Sequence, residues 1–271
     1  MSAEEKIAFI GGGNMASAML GGLLRAGMAP AQFIVVEPHA PQRDKLAARF
    51  GVQALAAGDA RLAAASTVVW AVKPQLFTAA AAPLKTWVGR ALQLSVMAGI
   101  TTTSLLNATG SERVVRAMPN TPALIGQGIA GLYARPAVSG DERATVERLL
   151  APTGQTLWVE READLDAVTA LSGSGPAYFF FVVEAMMAAA VDMGLTAEQG
   201  RRLALATCAG VAALGLASDE SPTTLRERVT SKGGTTHAAI TSLQGDAVDA
   251  AVRRAVLAAQ QRAAELGREF G

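Results

Sequence analysis

Cysteine, histidine and charge are all in short supply in this chain. Cys208 is the only cysteine, which excludes an internal disulfide and fits a reducing cytoplasm. It lies in an Ala-rich helical run and reads as a small buried residue. His39 and His237 are the only histidines, and with one cysteine they do not make a zinc site. Charged residues reach 17%, against about 25% in an ordinary soluble chain. Hydrophobic residues make up 51%, so either the core is unusually large or some apolar surface faces another subunit. The 24 basic and 23 acidic residues form no basic block and no aromatic-basic interleaving, which speaks against nucleic acid as a partner. The opening "MSAEEK" is short and acidic, unlike a secretory signal. The most apolar run, 177–183 followed by 185–191, is broken by Glu184 and closed by Asp192. That pattern predicts a core or interface helix and no membrane partner.

What is present falls into two halves. Up to about Glu160, the short apolar runs "KIAFIG", "FIVVEP", "TVVWAVKP", "LQLSVMAG", "RVVRAMP" and "GIAGLYA" alternate with helix-like segments such as 14–26, 41–50 and 101–108. Continuous apolar strands between helices predict βαβ units and a Rossmann-like, doubly wound parallel sheet. Beyond Glu160 the strand pattern stops, and 165–171, 176–193, 197–217, 222–229 and 247–266 read as helices. The expected organisation is a dinucleotide-binding α/β domain over 1–160 and an all-helical domain over 161–271.

"IAFIGGGNMASAMLGGLL" runs strand, then Gly11-x-Gly13-x-x-Ala16, then helix. Gly11 permits the tight turn, Gly13 lets a pyrophosphate approach the backbone, and the helix start offers free N–H groups. Glu37 ends the second strand, where an acid favours NAD by taking a ribose hydroxyl. His39 and Arg43 follow closely and offer positive charge to a 2′-phosphate, so cofactor choice stays open between NADP(H) and NAD(H). Lys73 and Pro74 close "TVVWAVKP", at the sheet edge where ligands bind in such folds.

Three further motifs follow in order: "RAMPNTPA" (116–123), "TALSGSGPAYFF" (169–180) and "VTSKGGTT" (229–236). Together with the glycine-rich turn and "AVKPQ" (71–75), they make the chain resemble pyrroline-5-carboxylate reductase over essentially its whole length. The resemblance implies NAD(P)H-dependent reduction of a small-molecule substrate, 1-pyrroline-5-carboxylate, to L-proline. It also implies a homodimer interlocked through the helical domain, with further association into decamers. Three departures stand out: Lys232 where the family often has proline, Gly58 where many members have asparagine, and "VMAG" (96–99) in place of "VAAG".

By the same resemblance, Gly11, Gly13, Asn14, Met15, Glu37, Val72, Lys73, Pro74, Ala98, Pro119, Asn120, Ser172 and Gly173 belong to the cofactor site. Ser231, Lys232, Gly233, Gly234, Thr235 and Thr236 form the substrate loop. Ser231 and the backbone of Gly234 and Thr235 take the carboxylate, and the Thr236 hydroxyl meets the ring nitrogen. Ser174 shares the catalytic space through "SGSGPA", which reads as a tight turn ahead of a helix opened by Pro176. From the residues alone, "SKGGTT" reads first as an ordinary helix N-cap, with an anion anchor as the alternative, at a helix predicted over 235–243. His237 suggests a proton donor, against the plainer reading of a first-turn residue near solvent. A β-hydroxyacid dehydrogenase would need a G-x-x-x-N-x-x-K pattern, and Lys232 is the only lysine after residue 160. A non-catalytic NADPH-binding scaffold would have no use for "SGSGPA" and "SKGGTT" together.

Overall fold

The computed structural model describes residues 5–270. The leader reading of "MSAEEK" falls mostly on residues outside that range. Alternation along the first strand sets up a sheet covered on both faces. In β1 (Lys6–Ile10), Ile7 and Phe9 enter one core while Ala8 and Ile10 enter the other. The first core is closed by Met19, Leu20 and Leu23 of α1 (Asn14–Arg25) and Leu46 of α2 (Ala40–Phe50). The second is closed by Phe77 of α3 (Phe77–Ala81), Val88 of α4 (Lys85–Val88) and Leu105 of α5 (Thr102–Thr109).

β2 (Phe33–Val36), β3 (Ala65–Trp70), β4 (Leu92–Ser95), β5 (Val114–Met118), β6 (Gly128–Ala134) and β7 (Gly154–Trp158) complete a 7-stranded sheet in the order β2-β1-β3-β4-β5-β6-β7. The direction of winding reverses between β1 and β3, and such a switch point leaves a crevice beyond the strand ends. Strands β1 to β5 pair in parallel, but β6 runs antiparallel to β5. The connection 119–127 carries only the short turn Thr121–Ile125, and a parallel return needs about a dozen residues or more. α6 (Gly140–Leu150) then brings the chain back to β7, which pairs in parallel with β6. β7 escapes the sequence pattern because "GQTLW" is an edge strand whose residues alternate between half-buried and exposed.

The chain divides into two compact units, one of the described residues up to Gly173 together with those from Ala259 onward, the other Ser174–Ala258. α7 (Asp164–Val168) leads through a widened π-type turn, Thr169–Gly173, into α8 (Gly175–Asp192). "SGSGPA" is therefore helical on either side of a bend at Ser174, not a tight turn: Ser174 keeps helix-like angles, φ −84 and ψ −23, and Pro176 sits where a first-turn N–H would be unpaired anyway. Glu184 lies inside α8 without breaking it. The stretch Asp164–Asp192 is long and apolar enough to cross a membrane by length and composition alone, with 17% of its most apolar window buried.

α9 (Ala197–Leu216) packs on α8 where Gly200 meets Ala190, since a Cβ at Gly200 would lie 2.8 Å from that methyl. α10 (Pro222–Arg228), α11 (Thr235–Gly245) and α12 (Val248–Phe270) follow. Cys208 is half-buried, less enclosed than its sequence setting predicts. Phe179, Phe180, Phe181, Leu203 and Val211 are all more than half exposed, apolar surface that this single chain does not bury.

One buried polar cluster ties β3 to β4. Trp70 Nε1 donates to Gln93 Oε1 at 2.8 Å, and Gln93 Nε2 donates to the carbonyls of Val88 and Ala91 at 2.8 and 2.9 Å. Gln93 is fully enclosed and is the partner of the Trp70 indole, whereas the Val88 carbonyl also accepts the Ala91 amide at 3.0 Å and the Ala91 carbonyl the Ser111 hydroxyl at 3.1 Å. Gln93→Leu therefore keeps the volume but strands the buried Trp70 donor. It is expected to lower stability by about 1–3 kcal/mol in urea unfolding, and a loss within error would show that water replaces the amide.

Candidate active site

The glycine-rich turn sits at the switch point. Gly11 has φ +97, and a Cβ there would stand 2.6 Å from the Ala71 carbonyl oxygen at the end of β3. Only glycine lets β1 end this close to β3. Gly13 caps α1 in extended conformation, and a Cβ added to it would meet nothing within 4 Å. The amides of Asn14, Met15 and Ala16 find no acceptor among the described residues, and the first backbone bond into α1 runs from Ser17 to Gly13. Open space at Gly13 beside three free N–H groups is the arrangement a pyrophosphate requires. The Gly12 carbonyl is held by Gln42 Nε2 at 2.6 Å and Ser17 Oγ at 3.2 Å, two contacts with no motif signal in the sequence.

The other residues of the first unit expected at the cofactor site end the neighbouring strands. Glu37 follows β2, and Val72, Lys73 and Pro74 follow β3, with Lys73 exposed as the cap of a short 3-10 turn. Ala98 lies exposed beyond β4, while Pro119 and Asn120 follow β5. Asn120 orients backbone: its Oδ1 accepts the Ile129 amide at 3.0 Å and so fixes the entry to β6. Ser172 and Gly173 come from the widened turn, where Ser172 Oγ donates to the Val168 carbonyl at 3.1 Å. A Cβ at Gly173 would lie 2.8 Å from Met118 Cε, so the end of β5 and the "LSG" turn meet through the missing side chain.

Behind these segments lies a buried ion pair not singled out by the sequence. Arg116, 4% exposed, donates from Nη1 to Glu162 Oε1 at 3.2 Å. Glu162 also accepts the Thr102 amide at 2.7 Å and its hydroxyl at 2.6 Å, at the start of α5. The Arg116 Nε is buried without a partner. Asp166 stands nearby; burial lifts its carboxyl above the usual range, the Arg116 guanidinium opposes this, and the Glu162 carboxylate adds to it.

In the second unit the segment expected to bind substrate is a turn ahead of α11. Gly233 has φ +76, a conformation that favours glycine, and the Gly234 amide donates to the Ser231 carbonyl at 3.0 Å. With Gly234 engaged, the unpartnered amides among the described residues are those of Thr235, Thr236 and His237. The free donors thus begin one residue later than the resemblance implied. Thr236 is half-buried, whereas Ser231, Lys232 and His237 are exposed.

Comparison with known proteins gives this geometry a family. Residues 162–266 match the family described as pyrroline-5-carboxylate reductase dimerisation, and residues 6–99 match NADP oxidoreductase, coenzyme F420-dependent. The chain is 45% identical to a pyrroline-5-carboxylate reductase of Pseudomonas aeruginosa over 268 residues, covering 98% of each chain. The chain belongs to the pyrroline-5-carboxylate reductase family. Among solved structures, this reductase is similar to the Coxiella burnetii enzyme, with TM-score 0.90, 36% identity and coverage of 97% and 98%. It is also similar to a Plasmodium falciparum pyrroline carboxylate reductase with NADP bound, with TM-score 0.86, 26% identity and coverage of 98% and 100%.

The departures of this reductase have local causes where contacts are defined. Gly58 abuts Leu84 and Leu62, and any Cβ would run into the Leu84 side chain, so an asparagine would require Leu84 to move. Met97 is buried in the second core and does not enter the site. A groove of about 650 Å³ runs along α1 and α2, lined by residues including Asn14, Ser17, Gln42, Lys45 and Arg49. It shares only Asn14 with the expected cofactor residues.

Gly11→Ala forces a side chain into a left-handed position against a carbonyl, and should cost about 1–3 kcal/mol of stability in chemical unfolding. Unchanged stability would mean that the turn relaxes freely. Asp166→Asn tests the buried cluster. Because the folded pKa is raised, the ionised carboxyl costs stability. That contribution is favourable below the unfolded pKa of about 4 and is lost as pH rises through the raised value. The asparagine variant should therefore melt higher than wild type at pH 7, with the advantage fading towards pH 3; an opposite trend would contradict the sign.

Proposed function

We propose that this chain reduces 1-pyrroline-5-carboxylate to L-proline, the final step of proline biosynthesis, using NADPH and, less favourably, NADH. The observation that carries the proposal is the start of α11: three unpartnered amides behind left-handed Gly233, in a chain 45% identical to a reductase of that name. The glycine turn of the first unit, with its open first-turn amides, suits the dinucleotide pyrophosphate. The NADP of the Plasmodium falciparum relative supports the phosphorylated cofactor.

When bound, the nicotinamide supplies the hydride; the protein's part is to orient and to exclude water. The carboxylate of the cyclic imine accepts from the Thr235, Thr236 and His237 amides, with Ser231 and Lys232 beside it. The Thr236 hydroxyl faces the ring nitrogen. Being both donor and acceptor, it suits the iminium and the amine product alike. Ser174, the first residue of the second unit, is the other candidate catalytic hydroxyl. Catalysis rests on proximity and charge complementarity.

Residues 1–160 serve as the cofactor domain and 161–271 as the dimerisation and substrate domain. A second copy covers the exposed Phe179–Phe181 face, and the dimers associate further into decamers. A single cysteine suits the cytoplasm.

The direct test follows NADPH and NADH absorbance on addition of 1-pyrroline-5-carboxylate, with L-proline measured as product. Oxidation without proline, or no oxidation, would overturn the proposal. Thr236→Ala should lower kcat by roughly 10- to 100-fold, as a hydrogen bond to a charged group is removed, with little change in nucleotide affinity. Unchanged turnover would remove Thr236 from its role.

A further inference from the structure

The motif "RAMPNTPA" opens on a strand face that also carries α7. Val115 and Ala117 enter the first core, so Arg116 and Met118 point to the opposite face of β5. On β6, Ala130 and Leu132 likewise enter the first core and leave Gly131 on that opposite face, paired directly with Met118. The segment 162–173 is attached there at three places. Glu162, two residues ahead of α7, meets Arg116 and the start of α5. Val168, the last residue of α7, fills the space of the missing side chain at Gly131, where a Cβ would lie 2.6 Å from its Cγ1. Gly173, the last residue of the widened turn, gives the same kind of room to Met118.

Two of these attachments are apolar contacts across a glycine. Such contacts are non-directional, and they hold a helix weakly against sliding along its axis. The third is directional: Glu162 accepts from the Thr102 amide, the Thr102 hydroxyl and Arg116 Nη1, on two different elements. Buried ionic groups serve best where they fix register. We infer that Arg116 and Glu162 are positioning residues for the reaction. Their pair sets the axial register of α7, and with it the place at which the turn Thr169–Gly173 presents Ser172 and Gly173. This presupposes that those two residues border the nicotinamide, as proposed above, and adds what places them. A π-type turn takes up one residue more than an α turn, so it is where a change of register is absorbed. Without the pair, the turn relaxes and Ser172 and Gly173 leave their seat beside Met118.

The test combines steady-state oxidation of NADPH by 1-pyrroline-5-carboxylate with hydrogen–deuterium exchange of peptides spanning residues 165–173, both on the intact protein. Arg116→Met and Glu162→Gln should quicken exchange there and lower kcat by about tenfold to a hundredfold, the loss that follows a small misplacement beside the reacting atoms. KM for NADPH should change much less, because the glycine turn that holds the rest of the nucleotide is untouched. Arg116→Lys, which keeps the charge but not the fork, should recover part of kcat. Thr102→Val is the mild variant: it removes one hydrogen bond to Glu162 and no charge, and should lower kcat roughly fivefold. Gln93→Leu, whose partners are Trp70, Val88 and Ala91, controls for lost stability and should keep wild-type kcat. Unchanged exchange at 165–173 in the Arg116 and Glu162 variants would overturn the register assignment. Faster exchange with wild-type kcat, a loss confined to KM for NADPH, or an equal kcat loss in Gln93→Leu would each overturn the link to the reaction. If wild type oxidised no NADPH with this imine, the functional reading above would fall, and the exchange result would still decide whether the pair sets register.

Discussion

The first unit is organised by one close approach, that of the chain after β1 to the end of β3. At Gly11 the backbone is left-handed, and the space of a Cβ is taken by the Ala71 carbonyl. Because the sheet winds away in both directions from β1 and β3, this is also where the strand ends open a crevice. The turn that glycine permits aims α1 so that Asn14, Met15 and Ala16 begin the helix with no acceptors. The residues proposed for the cofactor are then largely those that end strands: Glu37, Val72 to Pro74, Ala98, Pro119 and Asn120. The two-sided core fixes those ends, since Ile7 and Phe9 on one face and Ala8 and Ile10 on the other leave the sheet no alternative register.

The second unit solves the same problem differently. It presents donors through a turn, Ser231–Gly234, that hands over to α11 with three amides open. Its helices bury little of their own apolar surface: Gly175, Val183, Ala190, Gly200 and Ala204 are enclosed, while the Phe179–Phe181 face is not. An isolated helical unit of that composition is poorly stabilised by its own core. Its place in a family whose matching segment is described by dimerisation gives that face a reason to be apolar.

Much of this was legible because the informative residues act locally. Glycines at 11 and 233 are demanded by backbone geometry a few residues wide, and short β-branched runs report a doubly covered sheet whatever its partners. β7 was not legible, since an edge strand that alternates between half-buried and exposed lacks the apolar run that marks its neighbours. The reversal of β6 depends on a connection too short for a crossover, and the short turn inside it resembles a helix start. "SGSGPA" looked like a turn because two glycines and a proline usually are one. Here Gly173 makes room for Met118, and the helix widens and continues. Long-range polar pairings left the least trace: Glu37 to Gly12 spans 25 residues and Arg116 to Glu162 spans 46, with no spacing rule to announce either.

The central claim is that two sets of open first-turn amides, after Gly13 and after Gly234, hold the two ligands. Hydrogen–deuterium exchange read by mass spectrometry tests both in one experiment. NADPH should protect peptides spanning residues 11–17, and L-proline added to that complex should protect peptides spanning residues 231–237. Protection confined to other segments, such as the groove of Lys45 and Arg49, would contradict the account.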